Sequence, residues 1–226
     1  VLWLKENSDP AVLAGKNRFG IVGVSYGIIV PVLRAKAKTL GKNLKFAQEL
    51  WGLDVNEAKL LASFSLPAAE VTVELAQEFA LGFNSWEVVD QFCNVLVKGN
   101  TALSWLLVDL WKGREEEYIK RAAFSLIAML AVHDKKSANQ DFLNYFPLIK
   151  IESTDERNFV KKAVNWALRQ IGKRNATLLP HALALAKELK QSKAKSARWI
   201  GQNAAQEFLT PKIIQQVQRK DESNDS

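Results

Sequence analysis

Trp86 and Asp90 stand four residues apart, so on a helix they share one side. A carboxylate beside an indole can stabilise a developing positive charge or activate a water, and the indole face itself attracts a cation. Val88, Val89, Phe92, Val95 and Leu96 form the apolar stripe of that segment. At about 100° per residue, Trp86 and Asp90 fall roughly 120° and 160° from it. Surface carboxylates are common, so the adjacent off-core indole is what singles Asp90 out. Trp166 is placed in a similar way. Val160, Val164, Ala167, Leu168 and Ile171 make the buried stripe of its helix. Trp166 lies about 145° from the centre of that stripe. Lys162, Arg169 and Lys173 share its side. A basic face carrying an aromatic suits a phosphate backbone and a base, or another extended anion. The plainer alternative is that Trp166 packs beneath a neighbouring helix. Arg121 projects opposite the stripe Ile119, Ala123, Leu126, Ile127 and Leu130, with only Ser125, Ala128 and Val132 along its side. Small neighbours leave room for a large partner. The alternative is an ion pair with a nearby acid such as Glu117, worth little on a surface.

Charge points the same way. Between Arg157 and Ile200 there are eleven Lys and Arg residues and one acid, Glu188. The remainder holds 20 basic and 23 acidic residues, so this segment carries more than the formal excess of +7. Arg174, Lys193, Lys195 and Arg198 extend the basic set, which would give sequence-independent, salt-sensitive affinity for a polyanion. Other chemistry has little support. His133 and His181 lack ligand spacing for zinc. Cys93 falls on the core side of its helix and reads as a small buried residue. As the single cysteine it allows no intrachain disulfide, and a reducing, cytoplasmic setting is the expectation. Neither a Walker nor a dinucleotide glycine loop is present, and Glu115–Glu117 reads as an acidic helix start. No cofactor is expected. No apolar run reaches membrane-spanning length, and the N-terminus does not read as a signal peptide, although Val1 is not expected to be the native start.

The elements that must hold these residues are helices. Apolar residues recur at three- and four-residue steps over 31–40, 43–51, 56–65, 68–81, 86–98, 102–112, 116–132, 139–149, 155–173, 176–190, 195–208 and 211–219. Gly41, Gly82, Gly99 and Gly113 suit C-caps with positive φ, Asp54 and Asn84 suit N-caps, and Ser153 with Glu156 has capping-box spacing. Pro67 suits a first turn. The glycine-punctuated segment before Pro31 resists assignment. Pairs of helices start near 43, 68, 102, 139 and 176, with the later pairs spaced by roughly 35–37 residues, close to two-helix solenoid repeats. The expectation is an all-α chain. Residues 1–219 form a single repeat domain, an α-solenoid with a concave basic face, and 220–226 form a polar, disordered tail. An irregular helical bundle is the alternative.

The chain resembles the AlkD-like DNA alkylation repair family, the alkylpurine DNA glycosylases built from HEAT-like repeats. The resemblance runs from about Phe19 to Arg198 and rests on an ordered set: Glu49-Leu50-Trp51 with Glu57-Ala58, Ser85-Trp86-Glu87-Val88-Val89-Asp90, Lys120-Arg121-Ala122-Ala123-Phe124, and Lys162-Ala163-Val164-Asn165-Trp166-Ala167-Leu168-Arg169. It implies that Asp90 and Trp86 line a DNA-facing cleft, that Arg121 grips the backbone near a lesion, and that Trp166 is a further cleft aromatic. It also implies a HEAT-like superhelix that holds duplex DNA containing alkylated bases. Such an enzyme excises cationic N3- or N7-alkylated purines without turning the base into a pocket. Two departures stand out. Some members carry paired tryptophans where this chain has Ser85-Trp86, and a cleft tyrosine from the N-terminal helices has no assigned counterpart, Tyr26 being only in the region. A monomer is expected. The rival readings are a non-catalytic helical-repeat scaffold for nucleic acid or protein, and an RNA-binding surface.

Overall fold

The computed structural model describes residues 1–222, and within them every regular element is a helix. Fifteen α-helices follow one another: α1 Leu2–Glu6, α2 Pro10–Arg18, α3 Val30–Leu40, α4 Leu44–Trp51, α5 Asn56–Ser65, α6 Val73–Leu81, α7 Trp86–Gly99, α8 Thr101–Trp111, α9 Glu117–His133, α10 Asn139–Leu143, α11 Phe146–Glu152, α12 Asn158–Gly172, α13 Leu178–Lys190, α14 Lys195–Phe208 and α15 Pro211–Glu222. A 3-10 turn, Ala68–Glu70, precedes α6. The chain divides into two compact units, the first running from Val1 to Leu107 and the second starting at Val108. α15 carries the helical chain to Glu222, past the expected start of the tail. Residues 223–226 of that expected tail lie outside the described residues.

In the first unit α5 packs against α3, α4 and α7. Every residue of α5 from Asn56 to Ser65 is buried, including Glu57 and Lys59. An aromatic cluster of Trp51, Phe79, Phe83 and Phe92 joins α4, α6 and α7, with ring centroids 4.8–5.9 Å apart. In the second unit α12 packs on α9, α13 and α14, and α13 pairs with α14. α9 is buried without interruption from Ile119 to Ala131. A helix enclosed on all sides has no solvent face to announce in its sequence, so the expected open side around Arg121 does not exist as such.

Several boundaries fall elsewhere than the local signals suggest. The expected helix over 68–81 is two elements, because Val71 and Thr72 are extended and Thr72 Oγ1 accepts from Leu75 N at 3.2 Å to start α6. The one over 139–149 breaks at Asn144–Tyr145 ahead of Pro147, which sits in the first turn of α11. Ser153 does not open a helix. It ends α11 and donates its hydroxyl to Lys150 O at 2.7 Å, while α12 starts at Asn158 after Arg157. α5 has no side-chain cap, and Asp54 instead lies 3.3 Å from Lys59 Nζ. Before Pro31 the chain forms α1 and α2, the latter capped by Asp9 Oδ1, which accepts from Ala11 N at 2.8 Å and Val12 N at 3.2 Å. Of the four glycines expected at positive φ, only Gly41 has it, at 76°. Gly82 is required for space instead: a Cβ there would lie 2.4 Å from Trp51 Nε1.

Candidate nucleic-acid interface

α7 opens at Trp86 because Ser85, rather than Asn84, caps it: Ser85 Oγ accepts from Val88 N at 3.2 Å. The same hydroxyl donates to Asn56 Oδ1 at 2.7 Å, and Asn56 Nδ2 donates to Glu87 Oε2 at 3.0 Å. Lys16 Nζ lies between Glu87 Oε2, at 2.8 Å, and Glu57 Oε1, at 3.2 Å. The buried Glu57 carboxylate also accepts from Ser25 Oγ at 2.7 Å and from the backbone N–H groups of Tyr26, Gly27 and Ile28 at 2.9–3.3 Å. Burial works to raise the Glu57 pKa. The Ser25 and Tyr26 bonds and the Lys16 ammonium outweigh it and hold the carboxyl below its ordinary value. One buried network therefore ties α2 and the following loop to α5 and α7. Gly27 belongs to it by necessity: its φ is 73°, and a Cβ there would meet Asp9 O at 2.2 Å.

This anchoring seats Trp86. Its Nε1 donates to Phe19 O at 3.1 Å, so the loop after α2 orients the indole. Trp86 and Asp90 are both half-buried and lie off the fully buried stripe Val88, Val89, Phe92 and Leu96. Cys93 belongs to that buried side, as its position suggests. Continuing along α7 at four-residue steps come Asn94 and Lys98. Both line a hollow of about 380 Å³ whose other charged residues are Arg34, Lys38 and Lys42. Arg34 Nη2 donates to Gln91 Oε1 at 2.7 Å, and its guanidinium lies 5.2 Å from the centre of the Phe64 ring. Lys42 Nζ donates to Phe64 O at 2.7 Å and Leu66 O at 3.1 Å. Lys38 and Lys98 are exposed. The sequence reading missed this basic group, although a signal exists: Pro10 to Gln48 holds seven Lys and Arg residues and no acid.

The second unit carries the other candidates. Arg121 is only 5% exposed and Nη1 donates to Phe159 O at 2.8 Å, so it joins α9 to the first turn of α12. Glu117 Oε1 accepts from Phe159 N at 3.3 Å, at the same first turn of α12. On α12, Val160, Ala163, Val164, Ala167, Leu168 and Ile171 are fully buried and Trp166 is half-buried. Lys162 is exposed beside it. Arg169 and Lys173 are committed elsewhere. Glu207 on α14 accepts from Arg169 Nε and from Lys173 Nζ, the latter at 2.9 Å. Burial alone would raise the Glu207 pKa, and these two hydrogen-bonded cations bring it below its ordinary value instead. Arg174 donates to the carbonyls of Ala131, Asp134 and Ser137, and its guanidinium lies 4.4 Å from the centre of the Phe142 ring. Lys193, Lys195 and Arg198 are exposed, with Arg198 Nη1 donating to Ser192 O at 3.0 Å and Lys193 O at 2.6 Å. Trp199, 40% exposed with Lys161 Nζ 5.2 Å from its ring centre, is an aromatic of this basic region that the sequence reading passed over. The i, i+4 spacing of Lys195 and Trp199 was the available signal.

Among the described residues no helix is long and apolar enough to cross a membrane. No curated protein matches the sequence. The structure is similar to a solved one described as a new family of proteins related to the HEAT-like repeat DNA glycosylases with affinity for branched DNA structures. The TM-score is 0.76 and the identity 16%, over 92% of this chain and 93% of that one. At that identity the likeness shows the fold, which is the HEAT-like helical repeat. The profile of the family described as DNA alkylation repair enzyme matches residues 2–208, nearly the whole chain, and the protein therefore belongs to the DNA alkylation repair family.

Proposed function

We propose that the protein is a DNA glycosylase that releases cationic N3- or N7-alkylated purines from duplex DNA by hydrolysing the N-glycosidic bond. The observation that carries this is the Trp86–Asp90 face of α7, lifted off its core stripe and oriented by the Ser85–Asn56–Glu87–Lys16–Glu57 network. A positively charged purine departs as a neutral base, so its leaving group needs no proton. What remains is to stabilise the oxocarbenium-like sugar and direct water to it. A carboxylate near the anomeric carbon does this by charge or by activating the water, as in sugar hydrolysis. Asp90 takes that role. The indole of Trp86 attracts the cationic lesion or sugar through its face, and Trp166 gives the second unit an aromatic of the same kind beside Lys162.

Arg121 takes a different role from the phosphate grip that the family resemblance implies. Buried and bonded to Phe159 O, it acts as a positioning residue that fixes α12, and with it Trp166, against α9. Arg169 and Lys173 are shared with Glu207, and Arg174 with three carbonyls. The phosphate-facing cations are then Lys162, Lys193, Lys195 and Arg198 in the second unit and Lys38 and Lys98 in the first. They give sequence-independent affinity.

The test is to incubate purified protein with N-methylated duplex DNA and measure free 7-methylguanine and 3-methyladenine together with abasic sites. Release above the spontaneous rate supports the reading, and release at the spontaneous rate defeats it. The internal engagement of Arg121, Arg169 and Lys173 favours one second reading, a HEAT-like protein that binds DNA without excising bases. In that case the same assay shows tight duplex binding with no base release.

A further inference from the structure

The hollow at the end of α7 has two kinds of lining. Its volume is about 380 Å³, and Ala37, Phe64 and Val95 supply apolar surface. Ala37 and Phe64 are buried, 5% and 9% exposed, and Val95 is half-buried. Arg34, Lys38, Lys42 and Lys98 are exposed around them. Four cations thus surround an apolar floor, Asn94 adds an amide, and no carboxylate lines the hollow. Every one of these residues belongs to the first unit, as do Trp86 and Asp90.

The four cations keep donors to spare. Arg34 gives one N–H to Gln91 and rests against the Phe64 ring, so most of its five N–H groups are unspent. Lys42 spends two bonds on the carbonyls of Phe64 and Leu66 and keeps a third. Burial pulls the Lys42 pKa below its ordinary value, with no carboxylate acting against it. Lys38 and Lys98 make no hydrogen bond or ion pair among the described residues. Each stands in the last turn of its helix, which favours a cation weakly and leaves its donors unused. α3 carries no acid, and on α7 Glu87 is taken up by Lys16 and Asn56.

A ligand that suits this lining carries negative charge at its edge and apolar surface within. The sugar–phosphate unit of a nucleotide does so: its phosphate oxygens accept from cations, and its deoxyribose carbons cover an apolar floor. The helix also sets where on the DNA such a unit would fall. Asp90, Asn94 and Lys98 follow at four-residue steps and lie within about 80° of one another around α7. Lys98 is about 12 Å from Asp90 along the helix axis. One strand of a duplex carries a phosphate about every 3.4 Å of its axis, so a strand lying along α7 spends about three or four phosphates on that span.

We propose that the hollow seats one sugar–phosphate unit of a DNA strand, about three or four nucleotides from the base held at the Trp86–Asp90 face. The phosphate lies on the cations and the deoxyribose on the apolar floor. This rests on the DNA-binding part of the function proposed above, with Trp86 and Asp90 at the lesion, and not on base excision.

The experiment uses the full chain and the double variant Lys38→Ala/Lys98→Ala, both positions being exposed, with thermal melts to establish that the variant is folded. Fluorescence anisotropy is measured on a duplex with one stable abasic-site analogue, which nothing can excise. In a matching set of duplexes, single phosphates at successive positions on either side of that site are replaced by uncharged methylphosphonates. The wild type is expected to lose affinity by about fivefold to tenfold when the replacement lies about three or four nucleotides away, and the variant to be indifferent to it. On unmodified duplex, the slope of log K against log salt is expected to shrink by about 0.9 in the variant. Equal losses for the two proteins at every position overturn the proposal, as does an unchanged salt slope. A variant that loses only the binding of deoxythymidine monophosphate, with duplex affinity intact, assigns the hollow to a free nucleotide and also overturns it. Base release by the wild type is measured separately on alkylated duplex. Its absence defeats the glycosylase reading and leaves the methylphosphonate series to decide on the hollow.

Discussion

Trp86 and Arg121 show how far a single side chain can be read from its neighbours in sequence. Trp86 lies where its helical position puts it, half-buried and off the core stripe, but the Phe19 carbonyl that orients it comes from 67 residues away. Arg121 looked open because one stripe was taken as the core of its helix. α9 is enclosed on every side, and the small residues around Arg121 admit α12 rather than a ligand. Replacing Arg121 by Ala removes a charge-assisted bond and leaves the Phe159 carbonyl without that donor. Stability is expected to fall by about 2 kcal/mol, with duplex affinity changed far less. Chemical denaturation beside a binding titration checks this. A variant of wild-type stability that has lost DNA affinity would return Arg121 to the phosphate contacts.

At the scale of elements, the pairing of α12 with α14 has a functional consequence. Glu207 holds Arg169 and Lys173 together, so one acid on α14 restrains two cations of the basic face of α12. Glu207→Gln is expected to tighten duplex binding at low salt and steepen its salt dependence by one to two phosphate equivalents, roughly 0.9 in slope for each. Weaker binding in that variant would assign the three groups to structure alone. The apolar stripes of α7 and α12 were legible in the sequence because each of those helices keeps one solvent-facing side. Capping was less legible: Ser153 has the spacing of a capping box and instead ends α11, while Ser85 caps α7 where Asn84 was expected. A capping spacing competes with other bonds: the Ser85 hydroxyl is placed by its bond to Asn56, 29 residues away, while Ser153 turns back to Lys150 at the end of its own helix. The basic group around Lys38 and Lys98 was overlooked for a related reason. Its members come from α3, the following turn and α7, and only folding brings them to one hollow.

Across the whole molecule, two of the carboxylates that fasten elements together hold a proton less readily than usual: Glu57 in the first unit and Glu207 in the second, both below the ordinary value of 4.5. A depressed native pKa contributes stability in full above the unfolded value, and that contribution disappears as pH falls through the native value. The melting temperature is therefore expected to hold from about pH 7 down to about pH 5 and to drop below that, as Glu57 releases the Tyr26–Ile28 loop and Glu207 releases α12. A flat profile to about pH 3 would remove these carboxylates as fasteners. The repeat architecture was legible because helix pairs recur along the chain, and family membership follows from a match over residues 2–208. Chemistry is the larger claim, and it depends on one carboxylate. Under single-turnover conditions on N-methylated duplex DNA, Asp90→Asn should bind as the wild type does and release 7-methylguanine about two orders of magnitude more slowly. Equal release rates for the two proteins would contradict the account.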